Sequence, residues 1–276
     1  MNKTRIEWAD YTWNPVTGCL HRCQYCYASK QVERFSGYDP LYNASFDFKA
    51  GCYTIKKPMY KRNAAGIVRK APYPFDFEPT FHTYKLGEPA RKKKPVTIFV
   101  CSMADLFGKW VPDEWIKQVL DACAAAPQHR YLFLTKNPAR YYRLINLLPE
   151  AYGSGKLAFW WGTTATTAAE AAERTEILHT AGAGIARMFL SVEPIHEDLA
   201  SSINYKAIKW LIVGSETGNR KGKVIPAKEW IDKIVRKCKE HNIPVFMKDS
   251  LLPIMGEGNI KREYPEELRE NKEAKL

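Results

Sequence analysis

The chain has 276 residues, 45% of them hydrophobic, and its 42 Lys and Arg against 30 Asp and Glu give a formal net charge of +12. That is enough apolar material for a full core, in one large domain or two small ones, yet no window approaches the ~20 apolar residues of a membrane-spanning helix. The opening MNKTRIEWADYTW has no apolar signal-peptide core, so a cytoplasmic setting without membrane is expected, where thiols stay reduced and clustered cysteines bind metal or react.

In chain order, a first short strand is expected near Thr12–Thr17. It runs into WNPVTGCLHRCQYCYA, which holds three of the seven cysteines, Cys19, Cys23 and Cys26, spaced C-x3-C-x2-C. Residues 36–74 read as an irregular insertion rich in Gly, Pro and Lys. Between Lys49 and Lys94 stand twelve Lys/Arg and three Asp/Glu, so three quarters of the net charge lies in one sixth of the chain. Tyr53, Tyr60, Tyr73, Phe75, Phe77, Phe81 and Tyr84 are interleaved there. Basic side chains attract phosphates and aromatic faces stack on bases, so Lys56, Lys57, Arg91, Lys92, Lys93 and Lys94 are candidate DNA or RNA contacts. A solvated basic insertion is the plain alternative.

A second weak strand is expected near Phe75–His82. From residue 95 the pattern is regular. Apolar runs VTIFVCSM, RYLFLTK, LAFWWGTT, ARMFLSVEP, KWLIVGSE and IPVFMKD read as strands buried on both faces. Helices lie between them. VPDEWIKQVLDACAAA should bury Trp115, Ile116, Val119, Leu120 and Cys123. TTAAEAAERTEILHTAGAG opens on threonines and closes on glycines, and IPAKEWIDKIVRKCKEHN should bury Trp230, Ile231, Ile234, Val235 and Cys238. The βα rhythm implies a parallel sheet. A TIM-like (β/α) barrel is expected over 1–256, either complete with eight strands or six-stranded with extensions, followed by a charged tail at 257–276.

Closed structural zinc takes four ligands, usually from two cysteine pairs, and Cys52, Cys101, Cys123 and Cys238 are isolated. A [4Fe-4S] cluster held by three thiolates leaves one iron open to a ligand that is not protein. At this point C-x3-C-x-aromatic-C, here Cys19, Cys23, Tyr25 and Cys26, resembles the signature of the radical S-adenosylmethionine (SAM) superfamily. The resemblance implies that SAM chelates the open iron and is reductively cleaved to methionine and a 5′-deoxyadenosyl radical. It also implies a reductant such as flavodoxin or ferredoxin. EWADYTWNPVTGCLHRCQYCYA, FEPTFH, FVCSMADLF, FLTKNP, FLSVEP and VGSETG together resemble a phage-associated, radical-SAM-like family whose reaction is not established. That family is distantly similar to the spore photoproduct lyase-like branch, which repairs thymine dimers in DNA.

In such barrels functional residues gather at the C-terminal ends of strands. Those positions hold Cys101, Ser102 and Asp105; Thr135 and Lys136; Thr163, Thr164 and Thr166; Ser191 and Glu193; Ser215 and Glu216; Lys248 and Asp249. Ser102, Thr135, Lys136, Thr163, Ser191, Glu193 and Glu216 are candidate SAM contacts, because carboxylates accept from an ammonium or hydroxyls and Lys pairs with a carboxylate. Tyr25 and Tyr27 join them by resemblance, which puts that segment near the adenine. Ser and Thr at strand ends also serve as helix caps. Cys101 is a candidate hydrogen-atom donor or a core thiol. The expected function is radical-SAM chemistry on a nucleic-acid base or nucleotide. The alternatives are radical-SAM chemistry on a small molecule or peptide, where the insertion forms a lid or a partner-protein surface, and a non-enzymatic zinc module that binds nucleic acid.

Overall fold

The computed structural model describes residues 1–42, 46–144, 157–181 and 187–269. The chain divides into two compact units. The first centres on Ala9–Tyr131 and includes Met1–Arg5; the second centres on Phe159–Leu276 and includes Ile6–Trp8 and Leu132–Asn146.

The first unit carries β1 (Asn2–Lys3), β2 (Tyr11–Trp13), β3 (Val16–Thr17), α1 (Tyr27–Phe35), β4 (Asp47–Lys49), β5 (Cys52–Ile55), β6 (Tyr60–Arg62), β7 (Val68–Lys70), β8 (Thr80–His82), α2 (Glu88–Arg91), β9 (Thr97–Val100) and α3 (Asp113–Ala124). The strand expected near Thr12–Thr17 is broken in two. Pro15 has no N–H to donate and restricts Asn14 before it. Thus β2 stops at Trp13 and pairs in parallel with β9, while β3 turns aside to pair with β8. A separate four-stranded sheet results, in the order β3-β8-β5-β4. The stretch near Phe75–His82 belongs to this sheet, and only Thr80–His82 is extended.

The segment 36–74 is not irregular. It supplies β4, β5 and the antiparallel ribbon β6–β7; residues 43–45 lie outside the described residues. Strands of three or four residues carry too little alternation to register as a pattern. The interleaved aromatics are largely consumed by this small sheet. Ile55, Met59, Ala71 and Phe75 form a core against which Tyr38, Tyr53 and Tyr84 pack, and Tyr53 stacks on Phe75 with centroids 3.8 Å apart. Tyr73 and Phe81 are buried too. Helix α3 buries Trp115, Ile116, Val119, Leu120 and Cys123, as its periodicity predicts.

The second unit carries most of β10 (Arg130–Thr135), then α4 (Arg140–Leu144), β11 (Ala158–Thr164), α5 (Ala168–Ala181), β12 (Met188–Val192), β13 (Trp210–Val213), α6 (Lys228–Glu240), β14 (Val245–Met247), α7 (Leu252–Met255) and α8 (Glu266–Arg269). Strands β11 to β14 pair in parallel, with Trp161 opposite Met188, Phe189 opposite Trp210 and Leu211 opposite Val245. Every residue of β12 and β13 is buried, which is why their sequences are continuously apolar rather than alternating. Helix α6 buries Ile231, Ile234 and Cys238; Trp230 and Val235, also expected inside, are half-buried at the margins of that face. After Gly256 the chain returns along β14, where Glu263 N–H donates to the Val245 carbonyl at 3.0 Å. The glycine stop at 182–184, Ala186 and the tail from 270 lie outside the described residues.

Eight strands hydrogen-bond in the order β1-β2-β9-β10-β11-β12-β13-β14. This is a large, mainly parallel sheet with one antiparallel edge strand, β1. β1 and β14 end the order and no pairing joins them among the described residues, so closure into the complete eight-stranded barrel is not detected, while the six-stranded alternative does not require it. No helix among the described residues is long and apolar enough to cross a membrane.

Candidate functional site

In the first unit the three cysteines lie on the loop from β3 into α1. Gly18 opens the loop with φ +91°, where a Cβ would fall 2.2 Å from the Glu78 carbonyl oxygen. Only glycine fits such an approach. Gly18 N–H donates to the Met103 carbonyl at 2.9 Å and Cys19 N–H to the Phe77 carbonyl at 3.0 Å, so the backbone of the loop is fixed to the segments that follow β9 and precede β8. Cys26 caps α1, whose first turn holds no acidic residue. Ala28 and Val32 on α1 pack with Tyr73 and Met103, and Cys26 and Phe77 rest against them.

All three thiols are half-buried and none is in a disulfide. Burial pushes the Cys19 thiol up to about 12; the His21 N–H opposes this, while Asp105, Cys23 and Cys26 add to it. The three sulfurs therefore share one electrostatic neighbourhood. His21 Nε2 lies 2.7 Å from Asp105 Oδ2, and the His21 ring packs edge-on to Trp110 at 4.9 Å. No three His, Cys, Asp or Glu among the described residues could hold a single ion. An iron–sulfur cluster spreads its iron over several corners, each taking its own thiolate. Three free thiols on one loop fit that donor requirement.

Around the loop, Asn14 Oδ1 accepts from Ser102 Oγ at 3.3 Å and from Met103 N–H at 3.1 Å. Tyr27, 53% exposed, donates its hydroxyl to the Ser102 carbonyl at 2.8 Å; Tyr25 is half-buried. Cys101 is buried with φ +59°, and burial pushes its thiol up to about 12. Lys85 went unnoticed in the sequence. Its ammonium, donating to the Asn14 carbonyl at 3.3 Å, is pulled down to about 8 by burial. Cys52 is buried and donates to the Trp110 carbonyl at 3.3 Å. Lys56, Lys57, Arg91, Lys93 and Lys94 are exposed, while the Lys92 ammonium sits 4.5 Å over the Tyr11 ring.

In the second unit the polar strand ends are already linked to one another. Thr163 donates to the Thr135 carbonyl at 3.0 Å, and Thr135 Oγ1 accepts from Asn137 N–H at 2.9 Å, closing the turn after β10. Burial raises the Glu170 carboxyl, but Thr166, Lys136 and Arg174 outweigh it and hold the group below its usual value. Thr166 is tied to the start of α5, its N–H and hydroxyl both donating to Glu170 Oε2 at 2.8 Å, while the cap itself is Thr167, whose Oγ1 accepts from Glu170 N–H at 3.3 Å. Ser191 is buried. Glu193 forms an ion pair with Lys248, whose chain crosses Gly214 so closely that a Cβ there would lie 3.0 Å from Lys248 Cδ. Glu216 is gripped by Arg220, Nε at 2.6 Å and Nη2 at 2.7 Å, with His196 3.8 Å away. Arg220 and Glu170 were not singled out in the sequence, and Lys248 was read as a strand-end residue without its partner, since nothing in a one-dimensional pattern pairs these positions.

Residues 3–251 match the family described as "Protein of unknown function (DUF5131)". No curated protein matches in sequence. Among solved structures, spore photoproduct lyase complexed with dinucleoside spore photoproduct is similar, with a TM-score of 0.51 and 14% identity over 89% of this chain and 78% of that one. A doubly substituted mutant of spore photoproduct lyase with bound AdoMet and dinucleoside spore photoproduct gives a TM-score of 0.52 and 12% identity over the same shares. These likenesses show a shared fold.

Proposed function

The chain belongs to the DUF5131 family, whose function is unknown, and we propose that it is a radical SAM enzyme acting on a base or nucleotide of nucleic acid. One observation carries the reading. Three free, half-buried thiols on a loop pinned by backbone hydrogen bonds stand in a fold shared with a lyase whose structure holds AdoMet. When bound, a [4Fe-4S] cluster would supply the electron that cleaves SAM.

The residues of this chain do the rest. Cys19, Cys23 and Cys26 supply the thiolates. The Glu193–Lys248 and Glu216–Arg220 pairs present both signs of charge, as a ligand with an ammonium and a carboxylate requires. The nucleic-acid substrate is supported by the local excess of positive charge and by the dinucleoside photoproduct bound to the lyase. A closed zinc clip is the competing reading, and it requires a fourth protein ligand beside the three thiols. Metal and sulfide analysis after anaerobic reconstitution tests the reading: about four iron and four sulfide per chain are expected. Zinc without sulfide would return the chain to the binding-module alternative.

A further inference from the structure

We propose that the β6–β7 ribbon is a grip for duplex DNA, entering the major groove of the B-form helix. This deepens the nucleic-acid part of the function proposed above and is independent of the cluster chemistry. From Phe48 to Phe75 the chain has seven Lys/Arg and no Asp or Glu. Four of the seven, Lys61, Arg62, Arg69 and Lys70, lie in the two three-residue strands of this ribbon.

The register makes the arrangement unusual. Lys61 stands directly opposite Arg69, with Tyr60 opposite Lys70 and Arg62 opposite Val68. Like charges facing each other across a ladder destabilise it, and the chain places no carboxylate between them. Lys61 donates to the Ser36 carbonyl at 2.9 Å, and Arg62 Nε lies 4.0 Å from Asp39 Oδ2. Arg69 and Lys70 are exposed and form no ion pair among the described residues. A hairpin kept for solubility alone would do as well with mixed signs.

The ribbon is also held in shape. At its tip, Asn63 Oδ1 accepts from Ala65 N–H at 3.1 Å and Ile67 N–H at 2.8 Å, and Gly66 takes the φ of +77° that the turn requires. At its root, Met59 and Ala71 are buried in the small core and joined by a 2.8 Å backbone hydrogen bond. The outcome is a preorganised cationic arm, two strands wide.

That chemistry selects a polyanion, and the shape selects which one. The B-form major groove, ~12 Å wide, admits a two-stranded ribbon. The deep, narrow major groove of duplex RNA does not. A single strand would call for exposed aromatic faces, and the ribbon offers only Tyr60, half-buried.

The test is fluorescence anisotropy with a labelled, mixed-sequence DNA duplex, using the whole chain, wild type against Arg69→Gln/Lys70→Gln. Both side chains are exposed, so the thermal unfolding curve should stay with wild type. Each lost phosphate contact lowers the slope of log affinity against log salt by about 0.9. Between about 50 and 200 mM salt, the wild type should therefore lose roughly tenfold more affinity than the variant. Labelled duplex RNA and single-stranded DNA should bind more weakly than duplex DNA. Unchanged affinity and slope in the variant overturn the proposal, as does equal binding of duplex RNA or single strand, or a loss confined to Lys93→Gln/Lys94→Gln. No iron or SAM is present in the assay. Failure here would leave the thiol reading intact, and failure of cluster assembly would leave the ribbon intact.

Discussion

Gly18→Ala is the sharpest structural perturbation of the cysteine loop. At φ +91° a Cβ would sit 2.2 Å from the Glu78 carbonyl oxygen and 2.8 Å from that of Phe77. Both obstacles are backbone, so no side-chain rotation relieves the contact. An L-residue in this conformation costs about 1–2 kcal/mol. Moving the loop away breaks the Gly18-to-Met103 and Cys19-to-Phe77 hydrogen bonds, each worth about 1 kcal/mol. The total is about 3–4 kcal/mol, a fall in Tm on the order of 10 °C. Because Cys19 is the next residue, displacement of the loop should also cut iron bound per chain after reconstitution. Thermal unfolding followed by circular dichroism and colorimetric iron analysis read the two effects. A variant with wild-type Tm and wild-type iron would refute the claim that this close approach sets the thiol loop.

Lys85→Met gives a pH-dependent result. Burial pulls the Lys85 ammonium down to about 8 from an ordinary 10.5, so above pH 8 the unfolded chain binds the extra proton. The penalty is complete below about pH 8 and is relieved as pH rises toward the unfolded value. Wild type should gain stability relative to Lys85→Met over that window, by on the order of 3 kcal/mol; parallel pH profiles in denaturant unfolding would contradict the shift. Lys248→Met removes the cation paired with Glu193 while keeping a chain of similar length across Gly214. Calorimetric titration of the reconstituted protein with SAM should show affinity about tenfold weaker, ~1.4 kcal/mol, and unaltered affinity would remove this pair from the binding site.

The parts of the fold visible in sequence are those where burial writes a pattern. The continuous apolar runs of β12 and β13, and the spacing of Trp115, Ile116, Val119, Leu120 and Cys123 on α3, follow directly from what each face touches. The second sheet was hidden because β3, β4 and β8 are only two or three residues long, and because Pro15 diverts what reads as one continuous strand. The aromatics near the basic residues looked like stacking faces, yet Tyr53 and Phe75 stack on each other. At the candidate site, the placing of the three thiols on one short loop was legible from spacing alone. Their setting was not: the Gly18 approach to Glu78, the Asp105 lock on His21 and the buried Lys85 depend on residues some 60 to 84 positions away, which only the folded chain brings near.

The most direct test of the central claim is anaerobic. The protein is reconstituted with iron and sulfide, reduced, mixed with SAM and assayed for 5′-deoxyadenosine, alongside a Cys19→Ala/Cys23→Ala/Cys26→Ala variant. Nucleoside from the wild type and none from the variant is the predicted result. Equal amounts from both, or none from a wild type that carries its full cluster, would contradict the assignment of these three cysteines to radical SAM chemistry.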